Sequence, residues 1–177
     1  MYKFLREGLK SENGKCKWEI GKWKKVKSIK MCEKGFHCSQ TKYQAFSYVQ
    51  GELLAEVEVR GKSQKQNDKE VWSEMRLIKV WKWQKKDSVA LAIFSAEQCL
   101  KNFEKVYPKD KRPRQAIQAA KKWLKNPTEE NESAAWSAES AAWSAESAAR
   151  SAWSAESAAI RKIEKWIEER ELEEYDV

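Results

Sequence analysis

The sequence predicts an α+β fold in two parts: a small mixed β-sheet domain with one helix over residues 1–86, then an all-α domain over residues 87–177. Three observations lead to this prediction. Apolar and polar residues alternate in parts of the first segment, which is the period of a β-strand. From residue 87 the apolar residues recur at helical spacing. Residues 133–159 contain only Ala, Ser, Glu, Trp and one Arg, which favours a long helix.

The strands of the first part are short and separated by turns. "YKFL" and "KCKWEI" are strand candidates, punctuated by Gly14 and Gly21. "ELLAEVEVR" is the clearest strand because Leu53, Ala55 and Val57 alternate with largely polar residues. "MRLIKVWKW" is rich in Ile, Val and Trp, and we expect it to pair with that strand.

The helix of the first part is predicted within "SQTKYQAFSYVQ", between Gly35 and Gly51, with Ser39 or Thr41 as its N-cap. In the second part, "DSVALAIFSAEQCLKNFEKVY" predicts a helix that ends before Pro108. "RPRQAIQAAKKWLKN" predicts the next helix, with a proline in its first turn.

The Ala-rich segment, residues 133–159, is predicted to belong to one continuous helix over residues 129–159. Eight of its alanines, from Ala134 to Ala159, recur at alternating intervals of four and three, which predicts a seam that allows a neighbouring helix to approach closely. Trp136 and Trp143 lie on the opposite side of that helix. Either they pack in a core, or they form an exposed aromatic ridge that binds a protein partner.

Charge is distributed unevenly along the chain. Net charge is +11 over residues 1–86, +5 over 87–126 and −8 over 127–177, which makes the total of +8. We expect the acidic C-terminal segment to pair with the basic first domain or with a basic site on a partner. The N-terminal "MYKFLREGLK" lacks the apolar run of a signal peptide, and the cysteines show no disulfide framework. The sequence therefore predicts a cytoplasmic protein that does not associate with a membrane.

The stretch "CEKGFHCS" holds the single histidine. The spacing of Cys16, Cys32, His37 and Cys38 does not match a common zinc site, and we predict no metal, no cofactor and no catalytic residue. We expect Gly35 to make a turn and His37 to bond the backbone. Cys32 and His37 are kept as candidate ligand-site residues.

The basic stretch "KCKWEIGKWKKVKSIK" interleaves lysines with tryptophans. Lysines contact phosphates and tryptophans stack on bases, so Trp18, Trp23, Lys24 and Lys25 are candidate partner-binding residues. Alternatively, both tryptophans belong to the core and the lysines protect a sheet edge.

The second half resembles a known family in a run of residues that begins at Tyr107. The matching positions are Tyr107, Pro108, Asp110, Arg112, Pro113, Arg114, Ala116 and Ile117, followed by Ala-rich repeats. They resemble the helical immunity proteins of bacterial polymorphic toxin systems, over about residues 88–170. The repeats of this chain use Trp and Ser heavily where Ala and Arg are usual. The resemblance implies a protein partner, with Arg112 and Arg114 as candidate contacts.

The first half, with "KWEIGKW", "CEKGFHCS" and "ELLAEVEVRG", is similar to a small domain of phage and prophage proteins of unassigned function. Cys32, Gly35, Phe36 and His37 are its recurrent positions, and the similarity implies a mobile-element origin but no activity. A distant similarity to ADP-ribosyltransferase-like proteins would make Glu74 a candidate catalytic acid.

These observations predict a non-catalytic, phage-derived binding protein that neutralises a bacterial toxin or defence nuclease, for example as an anti-CRISPR-type inhibitor in the bacterial host cell. A nucleic-acid-binding accessory protein is the second hypothesis. A transferase is the third.

Overall fold

The computed structural model describes residues 1–12, 16–46, 48, 51–128 and 153–176, and within the last range it describes side chains from residue 158. Internal contacts divide the chain into two compact units. The first comprises Met1–Trp83 together with Ile167–Val177, and the second comprises Gln84–Trp166. The architecture combines an antiparallel sheet with helices, so the α+β class is confirmed at that level.

The sheet of the first unit has five strands: β1 (Tyr2–Leu5), β2 (Lys24–Lys25), β3 (Phe36–Cys38), β4 (Leu53–Lys65) and β5 (Glu70–Lys82). Their order is β1-β4-β5-β2, and β3 also pairs with β5. All of these pairings are antiparallel, so the prediction of a mixed sheet is wrong. Short connections such as the β4–β5 turn favour antiparallel neighbours, whereas a parallel pair needs a long crossover.

The predicted strand "YKFL" is confirmed as β1, and the predicted pairing of the two longest strands is confirmed as β4 with β5. The segment "KCKWEI" does not form a strand in its described residues. Lys17 and Ile20 make only isolated bridges, to Lys10 and Leu77. The chain turns at Gly21, whose φ is 79°, directly after the bridge at Ile20.

Buried side chains lie on both faces of the sheet around β1. One face carries a buried cluster that includes Trp18, Met75 and Leu77. Elsewhere Phe4, Phe46 and Trp83 form an aromatic group with ring centroids 5.4–5.6 Å apart. Alternation along β1 explains why Phe4 and Leu5 are both buried but join different groups.

Helix α1 (Lys42–Phe46) follows β3 and starts where the sequence predicts. The hydroxyl of Thr41 accepts a hydrogen bond from the Gln44 N–H at 3.1 Å, and the Gln44 side chain accepts one from the Thr41 N–H at 3.3 Å. This reciprocal pair is a capping box, which satisfies amide groups that a helix N-terminus otherwise leaves unpaired.

The C-terminal segment after residue 169 returns to the outer edge of β5. Glu174 forms an antiparallel bridge with Trp81, and the Tyr175 N–H donates to the Val80 carbonyl at 2.9 Å. The Glu173 carbonyl accepts a hydrogen bond from the Lys82 N–H at 2.8 Å. The acidic tail is thus paired within the first unit, which confirms the internal alternative expected from its charge.

The described part of the second unit is helical. Helix α2 (Lys85–Val106) packs against α3 (Arg112–Lys125), with Ile93, Ile117 and Trp123 in their shared cluster. The proline in the first turn of α3 is confirmed. Helix α4 (Trp153–Glu169) places Trp166 on Phe94 with ring centroids 5.5 Å apart. Residues 129–152 of the predicted helix over 129–159 lie outside the described residues, and its last residues, 153–159, belong to α4. No helix among the described residues is long and apolar enough to cross a bilayer.

Candidate functional site

A cavity of about 230 Å³ lies in the first unit, where the ends of β1 and β3 meet. The backbones of Tyr2 and Ser39 hold these ends together with two hydrogen bonds of 2.9 Å. Besides these two residues, α1, the β4–β5 turn and the turn before β3 contribute to the lining. The lining residues are Tyr2, Lys3, Phe4, Cys32, His37, Cys38, Ser39, Ala45, Tyr48 and Lys69.

Cys32 and His37, the two ligand-site candidates from the sequence, both line this cavity. The Cys32 N–H donates to Nε2 of His37 at 2.9 Å, which requires the imidazole proton to be on Nδ1. Burial, together with the nearby positive charges of Lys3 and Lys69, lowers the pKa of His37. The imidazole is therefore neutral at pH 7. The predicted backbone bond of His37 is confirmed.

Gly35 makes the turn that brings His37 back towards Cys32. Its φ is 119°, and a Cβ there would lie 2.5 Å from a methyl carbon of Val71. Phe36 packs against the core and meets Trp18 edge to face at 5.2 Å. Only glycine fits this position without strain, because its conformation and the close approach both exclude a side chain.

Cys16, Cys32 and Cys38 lie in different environments of the first unit. Cys38 is buried, and desolvation raises the pKa of its thiol to about 12. Cys16 packs against the core and Cys32 is exposed. Among the residues that the structure describes, no three or more His, Cys, Asp or Glu side chains form a group that could hold a metal ion.

The basic stretch of the first unit is largely engaged in internal contacts. Trp18 is 1% exposed and donates its indole N–H to Ser11, so its ring belongs to the core and cannot stack on a base. Trp23 is covered by the guanidinium groups of Arg60 at 3.9 Å and Arg76 at 5.0 Å. Lys24 lies beside the Trp18 ring, with Nζ 6.0 Å from its centroid.

Lys25 pairs with Glu74 at 2.9 Å, and Glu74 also pairs with Arg60 at 2.9 Å. These hydrogen bonds lower the pKa of Glu74. Glu74, the candidate acid of the transferase hypothesis, does not line the cavity. Its carboxylate is committed to two cations on the sheet surface.

Arg112 and Arg114 lie in the first turn of α3. Arg112 binds Asp110 at 2.6 Å, and Arg114 binds Glu104 at 2.7 Å, so each guanidinium is anchored by a carboxylate. The pairing with Arg112 lowers the pKa of Asp110 to about 2. Beside them, Val106 is 67% exposed and Tyr107 is 57% exposed.

Sequence reasoning named Tyr107 as the last residue of the predicted helix and as a position of the family resemblance, and it did not single out Val106. Helical spacing places a residue on a face but does not show where the neighbouring helix ends. Phe103 and Tyr107 have ring centroids 5.0 Å apart, so the tyrosine ring extends the apolar surface of α2 beyond the packed part of the helix. Trp136 and Trp143 lie outside the described residues.

Comparison with known families separates the two halves of the chain. Residues 1–87 match a domain of unknown function, DUF7666, and residues 79–165 match the family described as Imm-5 like putative immunity protein. No curated protein and no solved structure matches the chain significantly. The two-part resemblance expected from the sequence is confirmed by these matches. The second half of the chain is thus similar to immunity proteins, which indicates an immunity-type role in binding a protein partner.

Proposed function

We propose that this protein is a non-catalytic inhibitor that binds a bacterial toxin or defence protein and neutralises it. The observation that carries this proposal is the match of residues 79–165 to an immunity-protein family. A toxin is the favoured target because an immunity protein protects a cell from a toxin. A defence nuclease, as in anti-CRISPR-type inhibition inside a bacterial host, is the other form of the same proposal.

The α2–α3 turn, residues 104–114, is the surface that we assign to the partner. Val106 and Tyr107 are the two most exposed large apolar side chains among the described residues. Exposed apolar side chains that adjoin charged ones are typical of protein-binding sites. Tyr and Arg are also the residue types most enriched among those that dominate binding energy.

Charge on this surface indicates the chemistry of the partner. Residues 105–114 include five basic side chains and one acidic one. Lys105, Lys109 and Lys111 have no carboxylate partner within the described part of the chain. We therefore expect the partner to present an apolar patch bordered by acidic side chains.

The acidic tail is a less suitable partner-binding surface, because three of its carboxylates are already paired within the first unit. Glu168 pairs with Lys42 at 3.2 Å and Glu174 pairs with Lys79 at 2.8 Å, while Glu173 pairs with Lys82. These carboxylates are already engaged with lysines of the first unit. A nucleic-acid-mimicking role for the tail would require breaking these pairs.

Affinity purification from the bacterial host tests the proposal. The bait proteins are the wild-type chain, the variant Val106→Glu/Tyr107→Glu, and the control Ile78→Glu, which changes an apolar residue that is 44% exposed on the sheet. We expect one protein to copurify with the wild type and the control but not with the α2–α3 variant. Direct titration of that purified protein should then give a dissociation constant at least about tenfold weaker for the variant. Equal affinities for both variants would contradict the assigned surface.

A further inference from the structure

The cavity at the ends of β1 and β3 lies in the first unit, and the proposed inhibitor role does not use it. Its described lining residues combine lysine, histidine, serine, cysteine and tyrosine side chains, and none of them is a carboxylate. Convergent polar groups in a preformed cavity are the usual mark of a small-molecule site. At about 230 Å³ the cavity is smaller than the sites that hold drug-sized ligands, which span roughly 300–1,000 Å³.

Two lysines in the lining have no carboxylate partner among the described residues. The Lys3 ammonium donates to the His37 carbonyl at 3.1 Å, and the Lys69 ammonium lies 4.6 Å from the centroid of the Tyr48 ring. Nearby lysines outside the cavity are paired, since Lys42 binds Glu168 and Lys65 binds Glu70. Positive charge thus accumulates at the cavity.

Both lysines are half-buried, which weakens the hydration of this positive charge. Desolvation lowers the pKa of Lys3, because the charged ammonium loses water and gains only a carbonyl oxygen from the described protein groups. A nearby opposite charge stabilises the charged form of such a group. An anion in the cavity would provide that opposite charge.

Ser39 adds a hydroxyl group to the lining of the cavity. The residue is only 3% exposed, and its backbone N–H and carbonyl are both bonded to Tyr2 at 2.9 Å. Its hydroxyl can donate a hydrogen bond to a ligand oxygen.

The remaining groups indicate binding and not catalysis. Nε2 of His37 already accepts the Cys32 N–H, so it is not available as a base. Tyr2 and Tyr48 add ring surface to the cavity. The hydroxyl of Tyr48 is bonded to Asp68, which together with burial raises its pKa to about 12 and keeps it protonated.

We propose that this cavity binds a small phosphate monoester. Lys3 and Lys69 neutralise the two phosphate charges, and the Ser39 hydroxyl donates to a phosphate oxygen. Tyr48 contacts the organic part. Two ammonium groups match a dianion, whereas a single carboxylate would leave one of them unpaired. Lysine is a common point-charge partner of phosphate in proteins.

Calorimetric titration with paired probes tests the ligand class. The probes are ribose 5-phosphate against ribose, and adenosine monophosphate against adenosine, with inorganic phosphate as a further probe. We expect both phosphate esters to bind, the unphosphorylated compounds not to bind, and inorganic phosphate to bind more weakly than the esters. Failure of both esters to bind at roughly 10 mM, or equal binding of a compound with and without its phosphate, would overturn the proposal.

Matched variants test the location. Lys69→Gln removes a charge at the cavity, and Lys62→Gln removes the same charge from an exposed position on the same hairpin. We expect Lys69→Gln and Ser39→Ala each to weaken ester binding by about tenfold or more, and Lys62→Gln to leave it within about twofold. A melting curve establishes that each variant is folded. Equal weakening by both lysine variants would show nonspecific attraction and would contradict the assigned cavity.

Discussion

Glu70 is a glutamate that the fold buries almost completely. It is 2% exposed, yet it accepts hydrogen bonds from Gln40 at 3.0 Å and from the Trp72 indole at 2.8 Å, and it lies 3.4 Å from the Lys65 ammonium. Burial alone would raise the pKa of Glu70, but these three donors lower it below its ordinary value. The carboxylate is therefore stabilised in its charged form.

Glu70→Gln should lower the free energy of unfolding at pH 7 by roughly 1–3 kcal/mol, because the amide cannot satisfy the same three donors. The folded pKa is depressed, so the wild-type carboxylate contributes stability above its unfolded pKa. This contribution is lost as pH falls through the folded pKa. The difference between wild type and variant should therefore shrink in acid, as measured by urea unfolding at pH 7 and at about pH 3.

The control for this prediction is Glu58→Gln, which removes a carboxylate that is 49% exposed and pairs with Arg76. Exposed ion pairs contribute little, so its effect should stay below about 1 kcal/mol. If both variants lose the same stability, or if the Glu70 difference is unchanged in acid, the described environment of Glu70 is wrong.

Cysteine reactivity should follow burial. Cys32 is exposed in a turn with φ of 64°, whereas Cys38 is 4% exposed and its pKa is about 12. A maleimide in limiting amount should label Cys32 before Cys38 in the folded protein, since the thiolate is the reactive species. Site-resolved mass spectrometry measures both rates, and urea-unfolded protein is the control. Labelling of Cys38 as fast as Cys32 would contradict the burial of Cys38.

At the residue scale, sequence reasoning named two of the residues that line the cavity but not the lysines and the serine around them. It singled out Cys32 and His37 because His37 is the single histidine, and both line the cavity. It did not find Lys3, Lys69 or Ser39, because these come from separate segments that only the fold brings together. No local pattern indicates such a convergence.

At the scale of elements, periodicity predicted β4 and β5 well where one face is buried. It missed their outer halves, beyond Arg60 and before Met75, where β4 is exposed and backbone pairing alone extends the hairpin. Capping was also predictable, because Thr41 and Pro113 act within one turn of their own position. The C-terminal segment pairs with β5 although the two are about ninety residues apart in sequence. Its acidic charge was the sequence feature that indicated a basic partner surface.

Truncation after Arg170 should lower the free energy of unfolding of the first unit by about 2–3 kcal/mol. The truncation removes the backbone hydrogen bonds of Glu173 and Tyr175 to β5, and it uncovers a strand edge. Chemical denaturation measures the loss. Glu173→Gln/Glu174→Gln is the control, because it removes only surface ion pairs and should cost less than about 1 kcal/mol. An unchanged midpoint after truncation would show that the edge pairing does not contribute to stability.

At the scale of the whole molecule, the net charge of +8 made nucleic acid an attractive partner. The contacts argue against it, because Trp18 is buried, Trp23 is covered by arginines, and Lys25 is paired with Glu74. A gel shift with DNA and RNA should show no binding at about 50 mM salt. A shift that disappears near 200 mM salt, and in the variant Lys24→Glu/Lys25→Glu, would favour the nucleic-acid hypothesis.

The central claim is that the helical half neutralises a harmful bacterial protein through the α2–α3 turn. Growth of bacteria that express the copurified partner from an inducible promoter tests it most directly. Coexpression of the wild-type chain, or of the Ile78→Glu control, should restore growth, and the Val106→Glu/Tyr107→Glu variant should not, although it accumulates to the same level. Rescue by that variant equal to wild type, or failure of the wild type to rescue, would contradict the account.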